Sequence, residues 1–289
     1  MRPFTYERPA TLAAAIGILE ARGSGATPLA GGTDLIIGLR DGSIRRDVVV
    51  DVKGINELEA GIRVDGDRLV IGARAVMEDI AADPRVRNDF IALAEAATYV
   101  GSVQIRNRAT LAGNICNASP AADTSPALLV YGAVVVVAGP GGTRRISIDD
   151  FFVGPGVTAL GPGELVTAIE LPVPAEHRGA VHMRRTRRRG HDLAAVTLAC
   201  TVLEGGSIRL AYGSVGPRPL LMTDDSGVLL DPVTTAEVRT AALDRLFTAA
   251  SPSPRSMRAS PEYRLAMLRV LALRGLDIAN RRLLHGPAA

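Results

Sequence analysis

The sequence predicts an α+β protein in two parts. A larger region mixes strands and helices, and a smaller region of antiparallel strands and helices follows it. Three observations carry that expectation. Helix-spaced and strand-like apolar segments alternate over roughly the first 55 residues, as in an α/β unit. Hairpin signatures follow, where two apolar runs flank a short Gly-bearing turn. Then PVPAEHRG, residues 172–179, breaks the pattern with prolines and polar residues before the texture changes. A chain of 289 residues is long enough to build two such cores. We therefore place the division near 175, with 1–175 as the first domain (sub-parts about 1–55 and 56–175) and 176–289 as the second.

The elements follow in order. TLAAAIGILEAR, 11–22, has helical spacing, with Thr11 able to cap its start. In ATPLAGGTDLIIGLRDG a short strand ends at Leu29 or Ala30, a tight Gly31-Gly32 turn follows, and a helix starts at Thr33. DVVVDV, 47–52, is a buried strand by its branched aliphatics. IRVDGDRLVIGA, 62–73, is a hairpin turning at Asp65-Gly66. MEDIAAD and NDFIALAEAATYV read as two helices. The apolar run beyond Pro126 leads into the strand GAVVVVA, which turns at 139–142 toward TRRISI. A strand is expected at 165–171, a second hairpin at Gly205-Gly206, and two closing helices, the last capped by Ser260 ahead of Pro261.

Composition narrows the function classes. Hydrophobic residues are 47% and charged residues 22%, which is globular rather than disordered. Aromatics are 3% with no Trp, too few for base-stacking platforms. Lysine is almost absent, so arginine carries the net charge of +3, notably in RRTRRRGHD, 184–192. That run reads as a solvated face or as a phosphate or partner contact, and a nucleic-acid role would need further basic stretches. Cys116 and Cys200 are too few for a disulfide framework or a four-thiolate cluster. The N-terminus lacks a signal-peptide core, and the longest apolar run is about half of the ~20 residues a membrane span needs. A reducing cytoplasm is the expected compartment.

Chemistry points to cofactor binding. The glycine turns LAGGTDL and TLAGN each present backbone amides where side chains are small, as an anion-binding concavity requires. Either alone is commonly just a turn; together they suit the two phosphates of a dinucleotide. There is no GxGxxG fingerprint and no P-loop, so the familiar nucleotide sites are disfavoured. The histidines 177, 182, 191 and 285 lack metal-ligand spacing, and no GxSxG elbow occurs. We assign no catalytic side chain and no metal ligand. Cys116 is read as a small packed residue rather than a nucleophile, because no base can be tied to it.

PLAGGTDLI, IRNRATLAGNICNASPAADTSPALL, GELVTAIELP, RRRGHDLAAV, AYGSVGPRP and SPEYRLAML…LALRGL occur in this order. With them the chain, over nearly its whole length, resembles the FAD-binding medium subunit of molybdenum hydroxylases. That family includes carbon monoxide dehydrogenase, xanthine dehydrogenase, 4-hydroxybenzoyl-CoA reductase and bacterial N-heterocycle dehydrogenases. The resemblance implies a two-part α/β FAD-binding domain of the vanillyl-alcohol-oxidase (PCMH) type and a smaller C-terminal domain of antiparallel sheet plus helices. It implies FAD in this chain, molybdopterin in a large partner subunit and [2Fe-2S] clusters in a small one, the whole being a dimer of heterotrimers. Electrons would pass through FAD to an acceptor such as NAD, a quinone or oxygen. The alternative is a self-contained flavin oxidoreductase of the same superfamily that oxidises its own substrate.

Carried onto this sequence, Ala30, Gly31, Gly32, Thr33 and Asp34, with Leu35 after them, match the first pyrophosphate loop. Thr110, Gly113 and Asn114 match the second, and Asp123 matches an acidic FAD contact. Val166 falls where the family sets an apolar residue against the flavin ring, and Arg184 near a basic position beside it. Two departures stand out. Ala109 and Ala112 replace glycines of the second loop, which is tolerable only if both keep negative φ. With two cysteines, the chain also cannot carry the extra cluster of the 4-hydroxybenzoyl-CoA reductase branch.

Overall fold

The computed structural model describes residues 2–188, 190 and 192–286. Arg189 and His191, both within the arginine-rich motif, lie outside the described residues, as do Met1 and 287–289. The α+β expectation holds, and the sequence folds around three principal sheets.

The first is parallel, in the order β1-β3-β2. It contains β1 (Thr5–Glu7), β2 (Ala26–Leu29) and β3 (Val48–Asp51), joined through α1 (Leu12–Arg22) and α2 (Leu35–Asp41). Thr11 caps α1, its hydroxyl accepting from the Ala14 amide at 3.2 Å. Alternation along β3 serves both faces: Val48 and Val50 join the main core with Ala15 and Leu19 of α1, while Val49 packs with Leu29 and Leu39. The helix expected from Thr33 begins two residues later, because Thr33 and Asp34 still belong to the turn.

The second sheet is antiparallel, in the order β4-β5-β10-β6-β7. β4 (Ile62–Asp65) and β5 (Arg68–Gly72) pair Asp65 with Arg68, so the turn centres on Gly66-Asp67, one residue beyond the expected position. Three helices follow where two were expected: α3 (Met77–Ala82), α4 (Pro84–Asp89) and α5 (Ile91–Thr98). Asp83 separates the first two and caps α4, accepting from the amides of Arg85 and Val86, with Pro84 at the first helical position. Short helices α6 (Val103–Arg106) and α7 (Leu111–Cys116) lead to α8 (Thr124–Val130).

Here the expected continuous apolar strand region resolves differently. The run ALLVYGAVVVVA splits at Gly132, whose φ of 65° turns the chain from α8 into β6 (Val134–Gly139). Every residue of α8 is buried, so it shows no polar face, and periodicity cannot tell such a helix from a buried strand. β7 (Gly142–Ser147), α9 (Ile148–Phe151), the small pair β8 (Phe152–Gly154) and β9 (Val157–Thr158), and β10 (Leu165–Pro172) complete this part.

The third sheet runs β11-β12-β13-β14 as an antiparallel meander of Arg178–Arg185, Val196–Leu203, Ile208–Gly213 and Leu220–Asp224. It is covered on both faces. Val196, Leu198, Cys200 and Val202 of β12 point into a second core with α10 (Ala236–Leu246) and α11 (Pro261–His285). The alternate residues Thr197, Ala199 and Thr201 face the other way, toward the α8 side, where Ala180, Ala199 and Ala211 join the main core. Small residues on that face let α8 lie close. Among the described residues, no helix is long and apolar enough to cross a membrane.

α11 rests on β11 through Gly179. A Cβ there would lie 2.6 Å from the Leu283 amide nitrogen and inside contact distance of the Ala279 carbonyl oxygen. These are backbone atoms that cannot swing aside. Gly179→Ala should therefore cost about 3 kcal/mol, the upper end of overpacking penalties. Chemical denaturation of the two proteins checks this; an unchanged midpoint would contradict the close approach.

Candidate functional site

The two glycine-bearing loops, some 80 residues apart in sequence, meet in the structure. The first, Ala30 to Asp34, leaves the end of β2 and enters α2. The second precedes and begins α7, where the Thr110 hydroxyl accepts from the Gly113 amide at 3.0 Å. Its base is pinned to the start of α3 and the residues just before it: Met77 N–H donates to the Ala109 carbonyl at 2.9 Å, and Leu111 N–H to that of Ala75 at 3.3 Å. Gly31 makes the junction. A Cβ on it would stand 2.8 Å from the carbonyl carbon of Arg108 and 3.1 Å from the Ala109 Cα. Only a residue without a side chain lets the loops touch.

Among the described residues, the backbone N–H groups of Gly31, Gly32, Thr33 and Asp34 meet no protein acceptor. Free amides on a half-buried turn call for an oxyanion or water. Ala109 and Ala112 keep negative φ, since among the described residues the positive-φ non-glycine residues are Ala118 and Ser214, so the two alanines leave the loop backbone undistorted. The donors and the side-chain-free junction fit a pyrophosphate. Val166 is buried in β10 at a bulge, on the strand against which α7 packs.

Asn114 and Asp123 connect this region to the C-terminal sheet. Asn114 Oδ1 accepts from the Thr124 hydroxyl at 2.6 Å. Its neighbour Asp123 is buried and holds Arg184 Nη1 at 2.9 Å through Oδ2, with His182 Nε2 at 3.3 Å from Oδ1. The Arg184 guanidinium also donates to the carbonyls of Tyr99 and Asp192 and lies 5.2 Å from the centre of the Tyr99 ring. Among the described residues its buried Nε has no partner, nor has His182 Nδ1. The His182 amide donates to Glu95 Oε2 at 2.8 Å, and Glu95 pairs with Arg282 at 2.7 Å. Just before α8, the Ser214 amide donates to the Pro120 carbonyl, and Ala118 and Ser214 both hold left-handed backbone there. Non-glycine residues in that region store strain that the surrounding packing must hold.

The predicted residues thus form two groups. Residues 30–34 and 110–114 converge at one crevice, and Asp123 and Arg184 form an ion pair joined to it through Thr124. Sequence reasoning missed Arg108, Tyr99 and Glu95, and did not connect His182 to Asp123. The strand alternation in VHMRR already put His182 and Arg184 on one face of β11. The other contacts leave no mark in sequence, because they involve backbone carbonyls or residues from distant helices.

Cys116 is half-buried beside the second loop, and burial pushes its thiol up to about 12; that of Cys200 is also raised by burial. Burial thus favours the protonated thiol, the form that is a poor nucleophile. Ellman's reagent should label neither thiol at a free-cysteine rate in the native protein and both after denaturation; a fast native thiol would contradict this. Asp123→Ala would strand the buried Arg184 charge, costing about 3 kcal/mol, and adding Arg184→Met should restore part of that stability. Additive losses in the double variant would show that the pair is not coupled.

Comparison with known proteins agrees with this geometry. Residues 2–174 match the family described as the FAD binding domain in molybdopterin dehydrogenase, and 182–279 match the CO dehydrogenase flavoprotein C-terminal domain. The chain is 31% identical to the xanthine dehydrogenase FAD-binding subunit of Escherichia coli O157:H7 over 272 residues, 92% of each protein. It is 31% identical to the carbon monoxide dehydrogenase medium chain of Hydrogenophaga pseudoflava, covering 96% of this chain and 98% of that one. In structure it is similar to a chain of the carbon monoxide dehydrogenase from Hydrogenophaga pseudoflava that lacks the Mo-pyranopterin moiety. The TM-score is 0.88 at 30% identity, with 98% and 99% of the two chains covered. A chain of quinoline 2-oxidoreductase from Pseudomonas putida 86 gives 0.85 at 27% identity, with 98% and 99% covered. Two glycine loops closed on one another, behind a helix clamped to a C-terminal antiparallel sheet, are thus found in a chain that belongs to the FAD-binding subunit family of the molybdopterin dehydrogenases, and it is an oxidoreductase subunit.

Proposed function

We propose that this chain holds FAD across the two glycine loops and serves as the electron-transfer subunit of a molybdenum hydroxylase complex. The observation that carries the reading is Gly31 seated on the Arg108 carbonyl, which draws the free amides of 31–34 to the start of α7. Ala30 to Asp34, with Leu35 behind them, would bind one side of the pyrophosphate, and Thr110, Gly113 and Asn114 the other. FAD, when bound, accepts electrons one or two at a time and releases them to an acceptor. The chain's own residues bind and orient. Thr110 fixes the first turn of α7 by capping it, and Asn114 holds Thr124 and so the start of α8. Val166 offers an apolar surface from β10, and Arg184 supplies a cation whose position Asp123 fixes.

Electrons would come from the [2Fe-2S] clusters of a small partner subunit, itself supplied by a large molybdopterin subunit, in a dimer of heterotrimers. NAD, a quinone or oxygen would take them, and the complex would work in the cytoplasm. The division near 175 would separate FAD binding from a C-terminal domain, a reading supported by a second core built only from residues beyond 180, although Ala180, Ala199 and Ala211 of that sheet join the first core.

The purified full chain should be yellow and release FAD on denaturation. Gly31→Ala should lower flavin occupancy at least about tenfold, because its Cβ would force the loops apart. A colourless chain that takes up no FAD overturns the cofactor reading. Full substrate oxidation by the chain alone, without molybdenum- or iron–sulfur-bearing partners, overturns the subunit role.

A further inference from the structure

A cavity of about 370 Å3 opens where the end of β11 meets the start of α11, lined among others by Arg185, Arg187, Arg258 and Tyr263. Side chains alternate along a strand. Arg184 therefore turns to Asp123, while Arg185 turns to the opposite face and donates from Nε to the Tyr263 hydroxyl at 2.8 Å. Arg187 Nη1 donates to the Met257 carbonyl at 3.3 Å. The Arg258 side chain makes no hydrogen bond or ion pair with a described residue. A fourth guanidinium, Arg264, is buried behind the cavity, its Nε donating to the carbonyl of Ala195, which itself lines the cavity. Its pKa is lowered, first by burial and then by the charge of Arg258.

Among the described residues, carboxylates do not balance these charges. Asp192 lies 3.8 Å from Arg187 and is shared with Arg188 at 3.7 Å. Glu262 is exposed, and its carboxylate is engaged by its own backbone N–H and by the Ser260 hydroxyl. The amides of the α11 first turn are occupied too: the Tyr263 N–H donates to Ser260 Oγ at 3.3 Å, and Pro261 has none to give. The helix end therefore adds only its partial positive charge, and the arginines supply the donors. Guanidiniums gathered around one concavity repel one another until a multiply charged oxyanion accepts their forked donors.

We infer that this cavity binds a phosphate-bearing small anion, with Arg185, Arg187 and Arg258 as its donors and Tyr263 holding Arg185 in place. A single carboxylate would leave most of that charge uncompensated. The phosphate belongs either to a free phosphate compound or to a nucleotide.

The test is calorimetric titration with inorganic pyrophosphate of the full chain loaded with one equivalent of FAD, so that the glycine loops are filled and no free flavin competes, at ionic strength held constant with sodium chloride. Saturable single-site binding is expected, weakened at least about tenfold by Arg258→Gln and by Arg185→Gln. The Arg258 side chain holds no hydrogen bond or ion pair with a described residue, so its variant remains decisive if Arg185→Gln disturbs the α11 start. Titration with ADP separates the sources: tighter binding than pyrophosphate, lost in the same variants, assigns a nucleotide, and equal binding assigns free phosphate. Absence of saturable binding at matched ionic strength, or binding that both variants leave unchanged, overturns the inference. A chain that took up no flavin would leave the comparison between the wild-type chain and Arg258→Gln intact.

Discussion

Asp123 is buried where the segment after the second glycine loop meets the third sheet, and its two oxygens face Arg184 and His182 of β11. A carboxylate in such a place is costly unless it is neutralised, and a guanidinium there is equally costly alone. The pair therefore fixes the position of β11 against the segment that follows the second glycine loop. Immediately after it, α8 buries all seven of its residues between the main core and the face of β12 and β13. Any shift of the C-terminal sheet would both separate the ion pair and uncover an entirely buried helix. The loops before Asp123 thus inherit their position from the packing behind it.

Backbone approach sets the second constraint. Gly31 against Arg108, Gly179 against Ala279 and Gly213 against the Pro120 carbonyl each place main chain where a Cβ would sit. The first brings the two loops together, the second seats α11 on its sheet, and the third closes the junction between the regions. In each case the fold uses absent volume as others use a side-chain contact. That explains why the crevice presents amides rather than functional groups: side chains have been excluded from it. Binding and orientation, rather than acid–base chemistry, are what such a surface can supply.

Much of the architecture was legible in the residues. The Thr11 and Ser260 caps, the hairpins at 139–142 and 205–206, and the strands at 47–52 and 165–171 depend on local pattern and turn chemistry, and all formed. The differences have a common cause. α4 begins at a proline that reads as a breaker, the α2 start is delayed by a turn, and α8 lacks the polar face that marks a helix. Tertiary burial overrides periodicity where an element is covered on all sides.

For the candidate site, the sequence by itself determined which residues are small enough to form the loops, because glycine and proline placement is a local property of the chain. It also determined that two cysteines are too few for a disulfide framework or a four-thiolate cluster, since that rests on a count. Only the tertiary structure decided that Gly31 sits on the Arg108 carbonyl, that Arg184 pairs with Asp123 while Arg185 turns away, and that the Cys116 thiol is held protonated. Those outcomes depend on distance and dielectric between segments far apart in the chain, quantities that no local pattern of residues encodes.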